Sequence, residues 1–334
     1  MTGHYIVFEA IGTAVLKPCE VPSPAPGEVL VESDYSVVSA GTERANLMNL
    51  PNTSGEFPYY PGYCGIGRVT ALGEGIENVT LGDRVLVTWA GHRSHALQKA
   101  ADLTVVHDER IESIDASFVA IAAMGLQGVR KVKLELGESA MVIGLGLLGM
   151  FATQLAVLDG AIPVIVSDFD RRRRELALTL GADYAFSPDE ANLPERIREL
   201  TYGKGANCVI EVTGAAVALQ QALTYVAWEG RISLLGCTRI LDANIDFYQY
   251  VHKPGVSLIG AHTMVRPQVD SYPGYWTARD DYRTLLALVA AGRLQVRPLI
   301  SEVVSPELAP AIYARLAEEK HPPLGIVFDW QKLR

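Results

Sequence analysis

"SAMVIGLGLLGMFATQLAVLDGAIPVIVSD", residues 139–168, decides the fold. It opens on a short unbroken apolar run, SAMVIG. A helix-length segment follows, LLGMFATQLAVLDG, apolar on every side and closed by a glycine. A second apolar run, IPVIVSD, ends on an acid. Apolar strands without alternation, joined through a helix, predict a parallel sheet covered on both faces. Gly144, Gly146 and Gly149 stand in G-x-G-x-x-G spacing at the first strand-to-helix turn, with Leu147 and Leu148 between. Gly144 permits a tight turn, Gly146 lets backbone approach a pyrophosphate, and Gly149 lets the helix pack close to the strand. The helix N-terminus adds N–H groups and a positive dipole end. Asp168 closes the next strand, where a carboxylate would accept hydrogen bonds from a ribose diol. It would repel a 2′-phosphate, so the expected cofactor is NAD rather than NADP. The RRRR run at 171–174 argues weakly the other way, because Arg binds phosphate; it reads mainly as a solvated helix face, with Arg173 the candidate at the adenosine end.

The same rhythm continues outward. DRRRRELALTLGA and AVALQQALTYVAWEG read as helices, and ANCVIEVTG, RISLLG and VSLIGAH as strands. Residues before about 120 are different. Short alternating or apolar runs there are divided by Gly, Pro and Asp turn signals, the pattern of a barrel or rolled sheet. After 262 comes a polar, aromatic loop, then two helices (DDYRTLLALVAAG and SPELAPAIYARLAEEK) and a last strand, LGIVFDW.

The bulk numbers exclude several classes. With 334 residues the chain is long enough for about two domains. A formal net charge of −9 makes a nucleic-acid partner unexpected, since phosphate neutralisation needs clustered cations. Cys19, Cys64, Cys208 and Cys237 show no CxxC spacing, which speaks against a disulfide scaffold or a four-cysteine zinc site. No leader pattern and no membrane-length apolar run occur, so no membrane partner is expected and the cytoplasm is the default.

Several motifs in order now carry a resemblance. APGEVLVESDYSVVSAGTE, PGYCGIGRVTALGEGIENVTLGDRV, VIGLGLLG with its SD, and LISEVVSPELAPAIYARLAEEKHPPLGIVF together resemble the medium-chain dehydrogenase/reductase superfamily over nearly the whole chain. The resemblance implies an α/β chain: a split, GroES-like, β-rich catalytic domain (1–124 and 263–334) around an inserted Rossmann domain, a doubly wound parallel sheet (125–262). It implies nicotinamide in a cleft between the two. It also implies cofactor contacts from Thr213 and Gly214, from Leu235 and Gly236, and from Gln127, which corresponds to a position that usually meets nicotinamide. A homodimer or homotetramer is implied as well.

The departures from the zinc branch are specific. Ala40 stands where a Cys ligand would be, in SAGTE. In "PYYPGYCGIGRV", residues 58–69, Tyr63 and Cys64 replace a His and a Glu, and Ala123 stands near the third ligand. These positions offer one thiol, whereas zinc needs three or four donors, so no metal is expected. Without zinc, something must stabilise the developing alkoxide and take the hydroxyl proton. Thr42 keeps a relay hydroxyl. Tyr63 could donate to the substrate oxygen or, with a lowered pKa, act as base. Glu43 and His95 are the other titratable candidates. In the loop 262–281, His262, Arg266, Tyr275, Trp276 and Arg279 are the substrate-binding candidates, since aromatic faces and forked cations suit a polar ring.

The leading expectation is a zinc-independent, NAD-dependent dehydrogenase acting on a small-molecule sugar, cyclitol or aminocyclitol. The alternatives are a quinone or enone reductase, an epimerase or eliminase using bound NAD transiently, and a dehydrogenase of a hydroxyethyl tetrapyrrole. A dinucleotide sensor is the non-enzyme reading.

Overall fold

A computed structural model describes residues 2–239 and 242–334. The chain divides into two compact units, Met1–Ile121 with Arg279–Arg334, and Ala122–Ala278.

The first unit is built on strand Glu28–Val38. Cys64–Leu72, Gly325–Asp329 and His95–Lys99 each pair with it in antiparallel fashion. Arg84–Thr88 extends the sheet beyond Cys64–Leu72, and Ile300–Val304 joins Gly325–Asp329 in parallel. A separate hairpin joins Thr2–Ala10 to Thr13–Glu20. One core lies between the hairpin, helix Ala309–Glu318 and Gly325–Asp329, centred on Phe8, Tyr313, Phe328 and Trp330. Strand Glu28–Val38, which has partners on both sides, and Gly325–Asp329 are buried along most of their length.

The second unit holds a six-stranded, all-parallel sheet. Its order is Ser257–Gly260, Val226–Leu234, Ala206–Glu211, Ala140–Ile143, Val164–Ser167, Tyr184–Phe186. Strands Ala140–Ile143 and Val164–Ser167 are buried throughout, which explains their unbroken apolar sequences. Order reverses at Ala140–Ile143, the strand that carries the glycine turn, and ligands of such sheets bind beyond the strand ends at that point.

Three details differ from the sequence reading. The helix expected over 216–230 stops at Tyr225, and Val226–Leu234 is strand. A methyl group on Gly230 would fall 2.8 Å from the Ala227 carbonyl oxygen and 3.2 Å from that of Asn207, a site for close strand packing rather than a helix end. The helix Leu193–Leu200 was not anticipated. Residues 263–278 lie in the second unit, fastened there by Arg266, whose guanidinium donates to the Ala123 carbonyl, and by Trp276, whose ring lies 4.1 Å from the Arg130 guanidinium. The sequence reading assigned them to the closing part of the first domain.

Candidate functional site

The turn Pro61–Tyr63 is shaped by what lies beneath it. Gly62 has φ of +103°, and a methyl group there would fall 2.6 Å from the ring of His92. Only glycine can take that φ without strain and also let the imidazole close under the turn. His92 N–H then donates to the Pro61 carbonyl at 2.6 Å, and Gly91 N–H to Gly62 at 3.0 Å. Cys64 pairs with Thr88 across the sheet, so Tyr63 and Trp89 fall opposite each other one step beyond the ladder. Their rings stack at 5.0 Å and 22°. Trp89 holds φ of +58°, rare for a bulky residue, and leaves its ring 64% exposed.

These residues line a cavity of about 230 Å³ with Thr42, Glu43, Tyr59, Tyr60 and Arg93. Tyr63 hydroxyl donates to Ser39 Oγ at 2.6 Å and also shares a hydrogen bond with Thr42. Behind it lies a buried polar network. Glu43 Oε1 accepts from Ser39 N–H at 2.9 Å, and its Oε2 accepts from Tyr313 hydroxyl at 2.5 Å and meets His92 Nε2 at 3.2 Å. His92 Nδ1 lies 2.7 Å from Ser36 Oγ, which accepts from Trp330 Nε1 at 2.9 Å. One hydrogen-bond arrangement gives every group a partner: His92 Nε2–H donates to Glu43, and Ser36 donates to Nδ1. Burial is what fixes the titration of the phenols here. It pushes Tyr63, Tyr59 and Tyr313 all above the ordinary tyrosine value, with Glu43 adding to each.

Three of the expected catalytic residues therefore come together: Thr42, Glu43 and Tyr63. Two expectations change. Desolvation raises the Tyr63 pKa, so the phenol can donate a hydrogen bond but is not poised as a base. His95 is not in the group. It pairs with Glu32 across the sheet, and its Nδ1 meets Ser94 Oγ at 3.0 Å. The histidine beside Glu43 is His92, which sequence reasoning missed. A signal existed: His92, Ser94 and Ala96 share a parity and are all buried, whereas Arg93 and His95 occupy the other one. Tyr313 and Trp330, which close the network from the far end of the chain, left no such signal.

In the second unit the glycine turn is built as its spacing requires. Gly144 has φ of +91°, and a methyl group on Gly149 would lie 1.9 Å from the Gly144 carbonyl. A methyl group on Gly146 would meet nothing within 4 Å. Gly146 precedes helix Leu147–Leu158 without a side-chain cap, so no capping side chain serves the first-turn N–H groups. The space beside Gly146, at a helix N-terminus beyond the strand ends, fits a dinucleotide pyrophosphate. Asp168 braces the turn: Oδ2 accepts from Leu145 N–H at 2.7 Å and Oδ1 from Asp170 N–H at 2.8 Å. Each oxygen keeps a lone pair for a ribose hydroxyl. Arg174 donates to the Asp168 carbonyl at 2.6 Å.

Thr213, Gly214, Leu235 and Gly236 lie at the ends of the two neighbouring strands. One residue organises all four, and sequence reasoning did not single it out. The Glu211 carboxylate accepts from the Thr213 hydroxyl, from Thr213 N–H at 2.7 Å and from Gly214 N–H at 3.0 Å. Its carbonyl accepts from Leu235 and Gly236 N–H at 2.9 and 2.8 Å. Burial pushes the Glu211 pKa up against these hydrogen bonds. Gln127 donates to the His262 carbonyl at 2.8 Å, and His262 Nδ1 accepts from Met264 N–H at 3.2 Å. Arg266 is buried and bonded as described. Tyr275 stacks on Tyr272 at 4.8 Å and takes Lys131 against its ring at 5.4 Å. Arg279 belongs to the first unit and donates to the Ala101 carbonyl. The loop candidates are thus engaged in packing within their own units.

The sequence pattern of the family described as zinc-binding dehydrogenase matches residues 148–290. The chain is 27% identical to L-threonine 3-dehydrogenase of Pyrococcus furiosus over 317 residues, covering 86% of this chain and 87% of that protein. It is 30% identical to D-guloside 3-dehydrogenase of Escherichia coli over 205 residues, 61% of this chain and 58% of that one. A solved Sinorhizobium meliloti structure with NADP bound superposes with a TM-score of 0.84 at 19% identity, covering 98% of this chain and 99% of the other.

Proposed function

We propose, from the premise that the chain belongs to the medium-chain dehydrogenase/reductase superfamily, that it is a zinc-independent, NAD-dependent dehydrogenase interconverting a secondary alcohol and a ketone on a small polyhydroxylated substrate. A sugar, cyclitol or aminocyclitol is the substrate class we favour. The observation that carries the reading is the Tyr63 site: a buried phenol, flanked by the hydroxyls of Ser39 and Thr42, lining a cavity where the related enzymes' metal ligands would start.

The donor chemistry at those positions does not suit zinc. Ala40 and Ala123 have no donor atom. The Cys64 thiol gives its hydrogen bond to the Ser117 carbonyl at 2.8 Å, and burial pushes its pKa up to about 12, far from the thiolate that a metal needs. Among the described residues, no three His, Cys, Asp or Glu side chains converge. The family match at 148–290 lies outside Ala40, Tyr63, Cys64 and Ala123, so it does not bear on them.

NAD is favoured by Asp168, although the Sinorhizobium neighbour holds NADP. Residues Gly144–Gly149, Asp168, Thr213, Gly214, Leu235 and Gly236 would hold the dinucleotide, which when bound supplies the hydride acceptor or donor. The chain's own work is at the substrate oxygen. Hydroxyl rotors can reverse, so Ser39 and Thr42 can donate to Tyr63 Oη and free the phenol proton for the substrate. A neutral phenol with a raised pKa is a hydrogen-bond donor to a carbonyl or alkoxide oxygen, the task of the missing metal. Glu43 fixes Ser39 through its backbone N–H and so fixes Tyr63. Trp89, held beside Tyr63 and exposed, offers a face for a sugar ring. We place the enzyme in the cytoplasm as a homodimer or homotetramer, the open strand Ser257–Gly260 being the sheet edge available for pairing.

The test is NADH formation across sugars and cyclitols, with metal analysis, chelator treatment and Tyr63→Phe alongside. Tyr63→Phe is expected to lower kcat/KM at least ~10²-fold. Stoichiometric zinc, activity lost to chelator, preference for NADPH, or a Tyr63→Phe loss below about tenfold would each overturn its part of the reading.

A further inference from the structure

The cavity beside Tyr63 holds one group that the dehydrogenase chemistry above does not use. Arg93 lines it, half-buried, with its backbone fixed by a bridge to Tyr5. The guanidinium lies back over Gly91, where a methyl group would come 3.4 Å from Nη2. Its Nε is buried and makes no hydrogen bond, and among the described residues no carboxylate pairs with it. Three other arginines of this unit are committed to partners. Arg84 is spent on the carbonyls of Ile111 and Asp108, Arg297 on Glu112 and Asp115, and Arg334 on Glu32 and Asp34.

Glu43 lines the same cavity and does not neutralise Arg93. Its two oxygens are turned to Ser39, His92 and Tyr313. A guanidinium keeps its charge at any working pH and presents a planar fork of donors. The two terminal amino groups of Arg93 make no hydrogen bond among the described residues and, unlike Nε, are not shut off from solvent, so they are the donors a ligand can reach. The partner that fits a fork is an oxyanion, a carboxylate or a phosphate, held by two parallel hydrogen bonds.

We infer that Arg93 anchors an anionic group of the substrate, so that the polyhydroxylated alcohol is an acid: a sugar acid or a sugar phosphate. The inference rests on the dehydrogenase reading for its substrate class, but the anion site stands apart from turnover. A cavity of about 230 Å³ lies below the ~300–1,000 Å³ of sites for drug-sized ligands, and it suits one small molecule with a single charged end. The tyrosines and Trp89 provide the flat, hydroxyl-bearing walls that a sugar chain needs.

The experiment has two arms on the full-length protein. Binding of D-gluconate, D-glucitol 6-phosphate and neutral D-glucitol is measured by calorimetry for the wild type, Arg93→Met and Arg93→Lys. NADH formation is measured with the same three compounds. The wild type is expected to bind at least one anionic compound more tightly than glucitol, and Arg93→Met to lose ~10–100-fold of that preference. Arg93→Lys should recover part of it, since the charge returns without the fork. The compound that shows the preference distinguishes carboxylate from phosphate. No preference for either anion in the wild type overturns the proposal. So does an anion preference that Arg93→Met leaves intact. Anion binding lost in Arg93→Met, with no oxidation of any compound, supports the Arg93 site and counts against the dehydrogenase reading alone.

Discussion

Two glycines two turns of logic apart, Gly146 and Gly149, should separate folding from cofactor binding. A methyl group on Gly149 would fall 1.9 Å from the Gly144 carbonyl, an atom that no side-chain rotation can remove. Gly149→Ala must shift the helix or the turn. Overpacking of this kind costs ~1–3 kcal/mol, and backbone on the far side of the clash points to the upper end. For a unit the size of Ala122–Ala278 that is a fall in Tm of roughly 6–12 °C at ~3 kcal/mol. Gly146→Ala meets open space, and its φ of −69° and ψ of −174° suit alanine. It loses only the small advantage of Gly over Ala at a helix cap, at most about 1 kcal/mol. If the open space is where a pyrophosphate lies, the same methyl group blocks it and loosens hydrogen bonds to a charged group, raising the NADH Kd at least ~10-fold. Thermal denaturation and fluorescence titration with NADH read the two effects separately. Gly146→Ala binding NADH within about twofold of wild type would refute the pyrophosphate assignment, since no accommodation at that distance could leave a filled site untouched.

Three further outcomes follow from the buried groups. Glu43→Gln should cost about 3 kcal/mol in urea denaturation, because three donors converge on the carboxylate and an amide must point a fourth at one of them; His95→Gln should stay within about 1 kcal/mol, and equal losses would contradict the placement of the two residues. Glu211 has a raised pKa, so the folded state keeps a proton that the unfolded chain releases. Stability is expected to fall as pH rises from 4.5 through the folded pKa, and Glu211→Gln should remove that part of the slope; a difference between the two proteins that does not change with pH would count against it. In native protein at about pH 8, a maleimide should label exposed Cys237 and spare Cys64 and Cys208, whose thiols burial pushes up to about 12; prompt labelling of Cys64 would contradict its bond to Ser117.

The second unit was legible because its signals are local. An unbroken apolar strand, a glycine turn and a closing acid lie within thirty residues of one another, and backbone sterics leave them few arrangements. The exception is instructive: Val226–Leu234 continued a helical pattern in sequence and became strand, because only its neighbours in the sheet decide it. The first unit's site was legible only in part. Thr42, Glu43 and Tyr63 were singled out from positions that match the zinc branch's ligand motifs, and they line one cavity. Their partners come from elsewhere in the chain: Trp330 bonds Ser36 across 294 positions and Tyr313 bonds Glu43 across 270. No window of sequence contains such a pair.

The segment GHRSHALQ shows where a physical rule was available and would have chosen better. Its two histidines are three residues apart, so in extended chain they face opposite sides. Ala96 is small and wholly buried, and counting back by twos from it reaches Ser94 and His92, both buried, whereas counting from the intervening face reaches His95 and Arg93. The inward parity supplies the imidazole that holds Glu43 under Tyr63. The outward parity supplies the guanidinium at the cavity wall. Strand alternation therefore divides one short segment between two places: the buried network of Glu43 and Ser36 behind Tyr63, and the wall of the cavity that Tyr63 lines.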